Sequence, residues 1–224
     1  MCKVNQGNSA YLLFDTGSVD FFDLKYRSYY DAKKAGTLDE NIEVVTARGF
    51  GASGIYGAKD TTKFMVKLPK LKIAGYEMEN VVADMSITSK SKVGIRFAKG
   101  RVLTFNFPKD ELYIHDLANA NIEKSFDSFG FDLFPKENST IVGAIWENSD
   151  AEEEELPKYS KVIKMNNVVL DPNDNCQRIF NAIDIVRKEK VIDLTVKDEN
   201  EEKSYKLEKR DLFKTLKKDA DSSK

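Results

Sequence analysis

The chain has 224 residues, 41% apolar and 32% charged, with 14 Phe and 9 Tyr. That is enough apolar material for one large domain or two small ones, and too much for a disordered chain. Lys+Arg 35 against Asp+Glu 37 gives a net charge of −2, too balanced for a dedicated nucleic-acid binder, and no apolar run approaches the ~18–20 residues that span a bilayer.

Met1-Cys2-Lys3-Val4 carries no apolar core of a signal peptide. The chain opens on a strand-like Cys2-Lys3-Val4, followed by the turn Asn5-Gln6-Gly7-Asn8 and a second run from Ala10 to Phe14. A domain seldom begins there, which points to upstream sequence having been removed. Further strands are expected at 42–46, 64–68, 81–85, 102–107 and 111–114, where β-branched and aromatic runs are separated by turn residues. A helix is expected over 23–34, with Tyr26, Tyr29, Tyr30 and Lys33 on one face and Gly36 as its left-handed cap. The small, polar Ala118-Asn119-Ala120-Asn121 marks a linker, set at 118–124.

Residues 125–213 read differently. Strands are expected at 141–146, 161–165, 191–197 and 203–208. An amphipathic helix over 174–188 has Ile179, Ile183 and Val186 on one stripe. Ser149 is a candidate N-cap for a helical turn carrying Glu152, Glu153, Glu154 and Glu155, where acids suit the helix dipole. Residues 214–224 form a polar tail.

The sharpest chemical signal is Leu12-Leu13-Phe14-Asp15-Thr16-Gly17-Ser18. At roughly 5% usage per residue type, a given tripeptide occurs by chance in about 3% of chains of this length, and the preceding apolar run cuts that about tenfold. An apolar strand delivers Asp15 to its end. Gly17 lets the chain turn where a Cβ would clash, and Thr16 and Ser18 offer hydroxyls to hold the carboxylate. The competing reading is an Asp that caps its own turn.

With these residues the chain resembles the aspartic-protease superfamily over about 2–115. Lys92-Val93-Gly94-Ile95 resembles the family's apolar-apolar-Gly segment, with Lys92 at a usually apolar position. Val102 to Phe107 and Leu112-Tyr113-Ile114 resemble its closing strands, and Leu71 to Tyr76 with Val81 to Asp84 its middle hairpin. The resemblance implies an acid-protease-like β-barrel lobe with Asp15, Thr16, Gly17 and Ser18 as the catalytic loop. It also implies peptide-bond hydrolysis by a water held between two aspartates, one ionised and one protonated, with an acid-leaning optimum. A second Asp-Thr-Gly is absent from the sequence. The partner lobe would come from a homodimer or from missing upstream sequence.

Gly49-Phe50-Gly51-Ala52-Ser53-Gly54 matches the dinucleotide spacing G-x-G-x-x-G. No helix is expected to open there, so no nucleotide is assigned. Gly49, Gly51, Gly54 and Tyr56 instead fit a mobile hairpin flap, which in the family closes over bound peptide; surface packing is the alternative for Tyr56. His115 is the only histidine, and Cys2 and Cys176 lie far apart. Neither a multi-His metal site nor a Ser-His-Asp triad has its parts, and no metal or cofactor is expected.

Residues 125–213 resemble a bacterial-type PDZ domain. Phe129-Gly130-Phe131-Asp132 is similar to the carboxylate-binding loop, and Val142-Gly143-Ala144-Ile145 with Asn148-Ser149-Asp150-Ala151 to the strand and turn that follow. Glu155, Tyr159-Ser160 and Asn167 stand where the family pattern has Gly, Gly-Asp and Gly. The resemblance implies a groove in which Gly130 and Phe131 meet a terminal carboxylate and Ile179 and Ile183 line a side-chain pocket. The expected protein is therefore mainly β, a protease-like lobe (1–117) plus a small α+β PDZ-like domain (125–213). It would act as an aspartic endopeptidase on peptide or protein substrates; the alternative is a non-catalytic peptide-binding scaffold. Related bacterial proteins are often exported, so the resemblance implies an extracytoplasmic place, periplasmic or secreted.

Overall fold

The structure is a computed structural model that describes residues 2–4, 8–38, 42–54, 57–87, 90–120, 122–170, 175–199 and 201–214. It is mainly β with mixed strand pairing. The chain divides into two compact units: Met1–Val44 with Phe64–Ser125, and Val45–Lys63 with Phe126–Lys224. The first unit thus lacks residues 45–63, which the sequence assigns to the 1–117 lobe.

In chain order the elements are β1 (Cys2–Val4), β2 (Asn8–Ala10), β3 (Leu13–Asp15), β4 (Phe22–Lys25) and α1 (Tyr26–Lys34). The hairpin strands β5 (Val44–Gly54) and β6 (Gly57–Ile73) follow, then β7 (Tyr76–Ser86), β8 (Lys92–Gly94), α2 (Ile95–Ala98), β9 (Arg101–Asn106) and β10 (Glu111–Asp116). The remainder comprises β11 (Asp127–Ser128), β12 (Phe131–Lys136), β13 (Ser139–Trp146), α3 (Asp150–Glu153), β14 (Lys161–Met165), β15 (Val168–Val169), α4 (Asn175–Lys188), β16 (Val191–Asp198), β17 (Glu201–Glu208) and β18 (Arg210–Asp211).

In the first unit the sheet runs β6-β7-β4-β8-β3, with β1 on the outer edge of β6. β6 and β7 join through Ala74 (φ 48) and Gly75 (φ 88), a two-residue turn with both φ positive, which matches the twist of the strands. The helix expected over 23–34 starts only at Tyr26, because Phe22-Asp23-Leu24 form β4. All three are buried in a strand flanked on both edges by β7 and β8, and that tertiary environment overrides a helical spacing. α1 ends as expected: Gly36 adopts φ 65 and the Thr37 N–H reaches Ala32 O at 3.0 Å. The core gathers Phe22, Leu24, Leu68, Leu71, Met78 and Phe97, all at 1% exposure or less, each worth about 1.5–3 kcal/mol of burial. Arg101 threads this core with its guanidinium 4.9 Å from the Phe97 ring and 3.0 Å from Asp116 Oδ1, so the β9-β10 hairpin is pinned to α2.

In the second unit the order is β17-β16-β14-β13, with β12 on the other side of β13. β13 also takes β5 as a neighbour, with Ala144↔Gly49, Ile145↔Arg48 and Trp146↔Ala47 in register. Its core holds Phe129, Val142, Val162, Met165, Ile192 and Leu194. Ser149 caps α3 as expected: its Oγ accepts the Glu152 N–H at 3.2 Å, and the Glu152 carboxylate reaches back to the Asn148 N–H at 2.7 Å. Among the described residues no helix is long and apolar enough to cross a membrane.

Candidate active site

β3 is short, and its alternation decides what faces outward. Leu13 and Asp15 share one face; Leu12 and Phe14 pack on the core, with the Phe14 ring 5.1 Å from Phe105. β3 runs parallel to β8, pairing Leu13↔Lys92, Phe14↔Val93 and Asp15↔Gly94. Asp15 therefore stands at the carboxyl end of a parallel pair with its side chain about a third exposed, at 35%.

The turn after it is closed from inside and outside. The Gly17 N–H donates to Asp15 Oδ1 at 3.0 Å, and the Ser18 N–H to Asp15 O at 3.1 Å. Ser18 is buried, and its carbonyl accepts the Ile95 N–H at 2.8 Å. Gly94 makes this approach possible: a Cβ there would lie 2.2 Å from Asp20 O and 2.7 Å from Ser18 O. The β8 backbone thus lies directly against the Asp15 turn. One sequence expectation needs correction: the Ser18 hydroxyl donates to Asp20 Oδ2 at 3.0 Å, not to Asp15. Thr16 and Gly17 are exposed.

Asp15 does have a side-chain partner that the motif does not contain. Lys92 Nζ lies 3.7 Å from Asp15 Oδ2 and 4.0 Å from Asp23 Oδ2. A cavity of about 260 Å³ opens beside Leu12, Phe14, Val93 and Phe105. It lies on the Phe14 side of β3, so Asp15 faces away from it. Its walls are mostly apolar, with Asp110 among them.

The flap residues fall in the second unit, whereas Asp15 belongs to the first. Gly49, Gly51 and Gly54 lie within strand β5, so the G-x-G-x-x-G spacing opens no helix; Tyr56 lies outside the described residues. Gly49 (φ 149) sits against β13, where a Cβ would come 2.1 Å from Gly143 O. The Phe50 ring packs in tilted geometry 4.8 Å from Phe134 and 4.9 Å from Tyr159, Lys63 pairs with Asp132 at 2.5 Å, and Tyr159 hydrogen-bonds Asp60. These contacts fasten the hairpin at Gly49 and Phe50 on one strand and at Asp60 and Lys63 on the other.

Around Gly130 the backbone is tight. Gly130 has φ 93, and a Cβ would lie 1.9 Å from Ser149 Oγ. Its N–H donates to Ser128 Oγ at 3.0 Å, which corrects the expectation that it is free for a carboxylate. The described pairings of β12 are all with β13, with a bulge between Asp132 and Leu133. On α4, Ala182 is buried while Ile179 and Ile183 are half-buried one turn apart, and Phe180 is 66% exposed. Buried Arg178 ties α4 to the β12-β13 turn, donating to Asn138 O at 2.8 Å and Thr140 Oγ1 at 3.2 Å. The Lys209 ammonium lies 5.0 Å from the Phe129 ring, and burial pushes its pKa below the ordinary lysine value. It is remote from Phe129 in sequence, so no local pattern announces it.

Among the described residues no group of three His, Cys, Asp or Glu side chains converges as a metal site would require. No family model matches the chain, and no curated protein matches it.

Proposed function

We propose that the first unit is one lobe of an aspartic endopeptidase and that Asp15 is its water-activating carboxylate. The observation that carries the reading is the turn at Asp15. A carboxylate about a third exposed ends an apolar strand, and the Gly94 backbone packs against Ser18 and Asp20 beside its loop. A rigid, preorganised carboxylate at a strand end is what a general base needs. A second carboxylate, brought by another lobe, shares a proton with Asp15 and polarises the peptide carbonyl. The lobe is expected to be acid-protease-like, and the second unit PDZ-like. In the second unit β12 offers its outer edge to an extended peptide, and Ile179 and Ile183 on α4 supply the apolar wall.

The test is cleavage of unfolded casein by the assembled two-lobe enzyme, with wild-type Asp15 and with Asp15→Asn. The variant keeps the shape and removes the base, so kcat should fall by a factor of roughly 10²–10⁴. Cleavage that survives the substitution overturns the assignment. An assembly that never cleaves speaks for the scaffold reading.

A further inference from the structure

Lys92 is the one charged residue of β8, beside Val93 at 3% exposure. β8 lies between β3 and β4, so Lys92 faces Leu13 in parallel register and Asp23 in antiparallel register. Its side chain is only 23% exposed. Most of the side chain is covered, and the ammonium stands between two carboxylates. Asp23, at 8% side-chain exposure, gives one reason for a cation here, because a buried carboxylate without one is costly. The ammonium nevertheless sits closer to Asp15, at 3.7 Å against 4.0 Å.

The two oxygens of Asp15 are thus engaged from different sides. Oδ1 accepts the Gly17 N–H at 3.0 Å, and Oδ2 faces Lys92. A carboxylate held at one oxygen swings about its terminal torsion, which is broad and roughly two-fold; one held at both has a fixed plane. We propose that Lys92 is a positioning residue for Asp15, setting the plane in which the carboxylate meets its water. The proposal rests on the reading of Asp15 as the base, but its structural half can be measured without any catalysis.

The experiment is amide hydrogen exchange at Gly17 in the full chain, wild type against Lys92→Met, which keeps the stem and deletes the charge. If Lys92 holds Asp15, the Gly17 amide exchanges about two- to fivefold faster in the variant, the range an ion pair of this exposure supports. Lys92→Arg returns it to within about twofold of wild type. Unchanged Gly17 exchange, with changes confined to the amides of Phe22 and Leu24 beside Asp23, overturns the proposal, since Lys92 then serves Asp23 alone. A second measurement stands even if Lys92→Met folds poorly: the Lys92 Nζ resonance should move in Asp15→Asn, and a resonance that stays put also overturns it. In the assembled enzyme, Lys92→Met should lower kcat and leave KM unchanged. An assembly without activity would count against the peptidase reading while leaving the Gly17 result intact.

Discussion

Gly94→Ala probes the closure of the Asp15 turn. The added Cβ would lie 2.2 Å from Asp20 O and 2.7 Å from Ser18 O, inside the 3.0 Å that real Cβ contacts keep, and both obstacles are backbone. No side chain can swing aside, so β8 and the turn must separate. Separation strains or breaks the hydrogen bonds from Ile95 N–H to Ser18 O and from Gly94 N–H to Phe21 O. Overpacking of this kind costs about 1–3 kcal/mol, and each lost backbone hydrogen bond about 0.5–1.5 kcal/mol. Together the loss is about 2–6 kcal/mol, carried by the first unit. Urea unfolding should be followed by residue-resolved amide signals, since two compact units need not unfold together. A variant within about 0.5 kcal/mol of wild type, with the amides of Thr16, Gly17 and Ser18 in place, would show that Gly94 does not close the turn.

Three further outcomes are expected. Ser149→Ala removes both the cap on the Glu152 N–H and the hydrogen bond to Trp146 O, and denaturant unfolding of the second unit should show a loss of about 1–2 kcal/mol. The Tyr159 hydroxyl, and after it the Lys158 charge, hold the Asp60 carboxyl below its ordinary value of 3.8. A lowered carboxyl pKa stabilises above the unfolded value and loses that contribution as pH falls through the folded one, so the hydrogen-exchange protection of residues 57–63, taken against their intrinsic rates, should fall below pH 3.8, and Tyr159→Phe should remove most of that acid step. Titration with peptides that end in a free carboxylate should move the amides of residues 131–134 and of α4, and shifts elsewhere or none would leave the second unit without a peptide groove at β12.

Local patterns made much of this fold legible. Ser149 with Glu152 announces a cap and the Ile179–Ile183 spacing announces α4, because each is a short-range consequence of backbone geometry. The Asp15 motif was visible for the same reason. What stayed hidden depends on partners far away in sequence. Phe22 to Lys25 became a strand because β7 and β8 enclose it. Residues 45–63 joined the second unit because β13 offers Ala144 to Gly49. Lys92 reads as an irregularity in an apolar segment until parallel pairing sets its ammonium beside Asp15. The Ser18 hydroxyl could not be assigned before the buried turn gave it Asp20.

The central claim, that Asp15 works as one of two carboxylates sharing a proton, is tested most directly by the pH dependence of kcat/KM for the assembled enzyme acting on unfolded casein. A proton-sharing pair gives a bell with both limbs on the acid side of neutrality, and the bell belongs to the pair rather than to either residue. The wild type should show that bell, and Asp15→Asn should abolish it. A rate that rises monotonically through neutral pH, or a bell retained by Asp15→Asn, would contradict it.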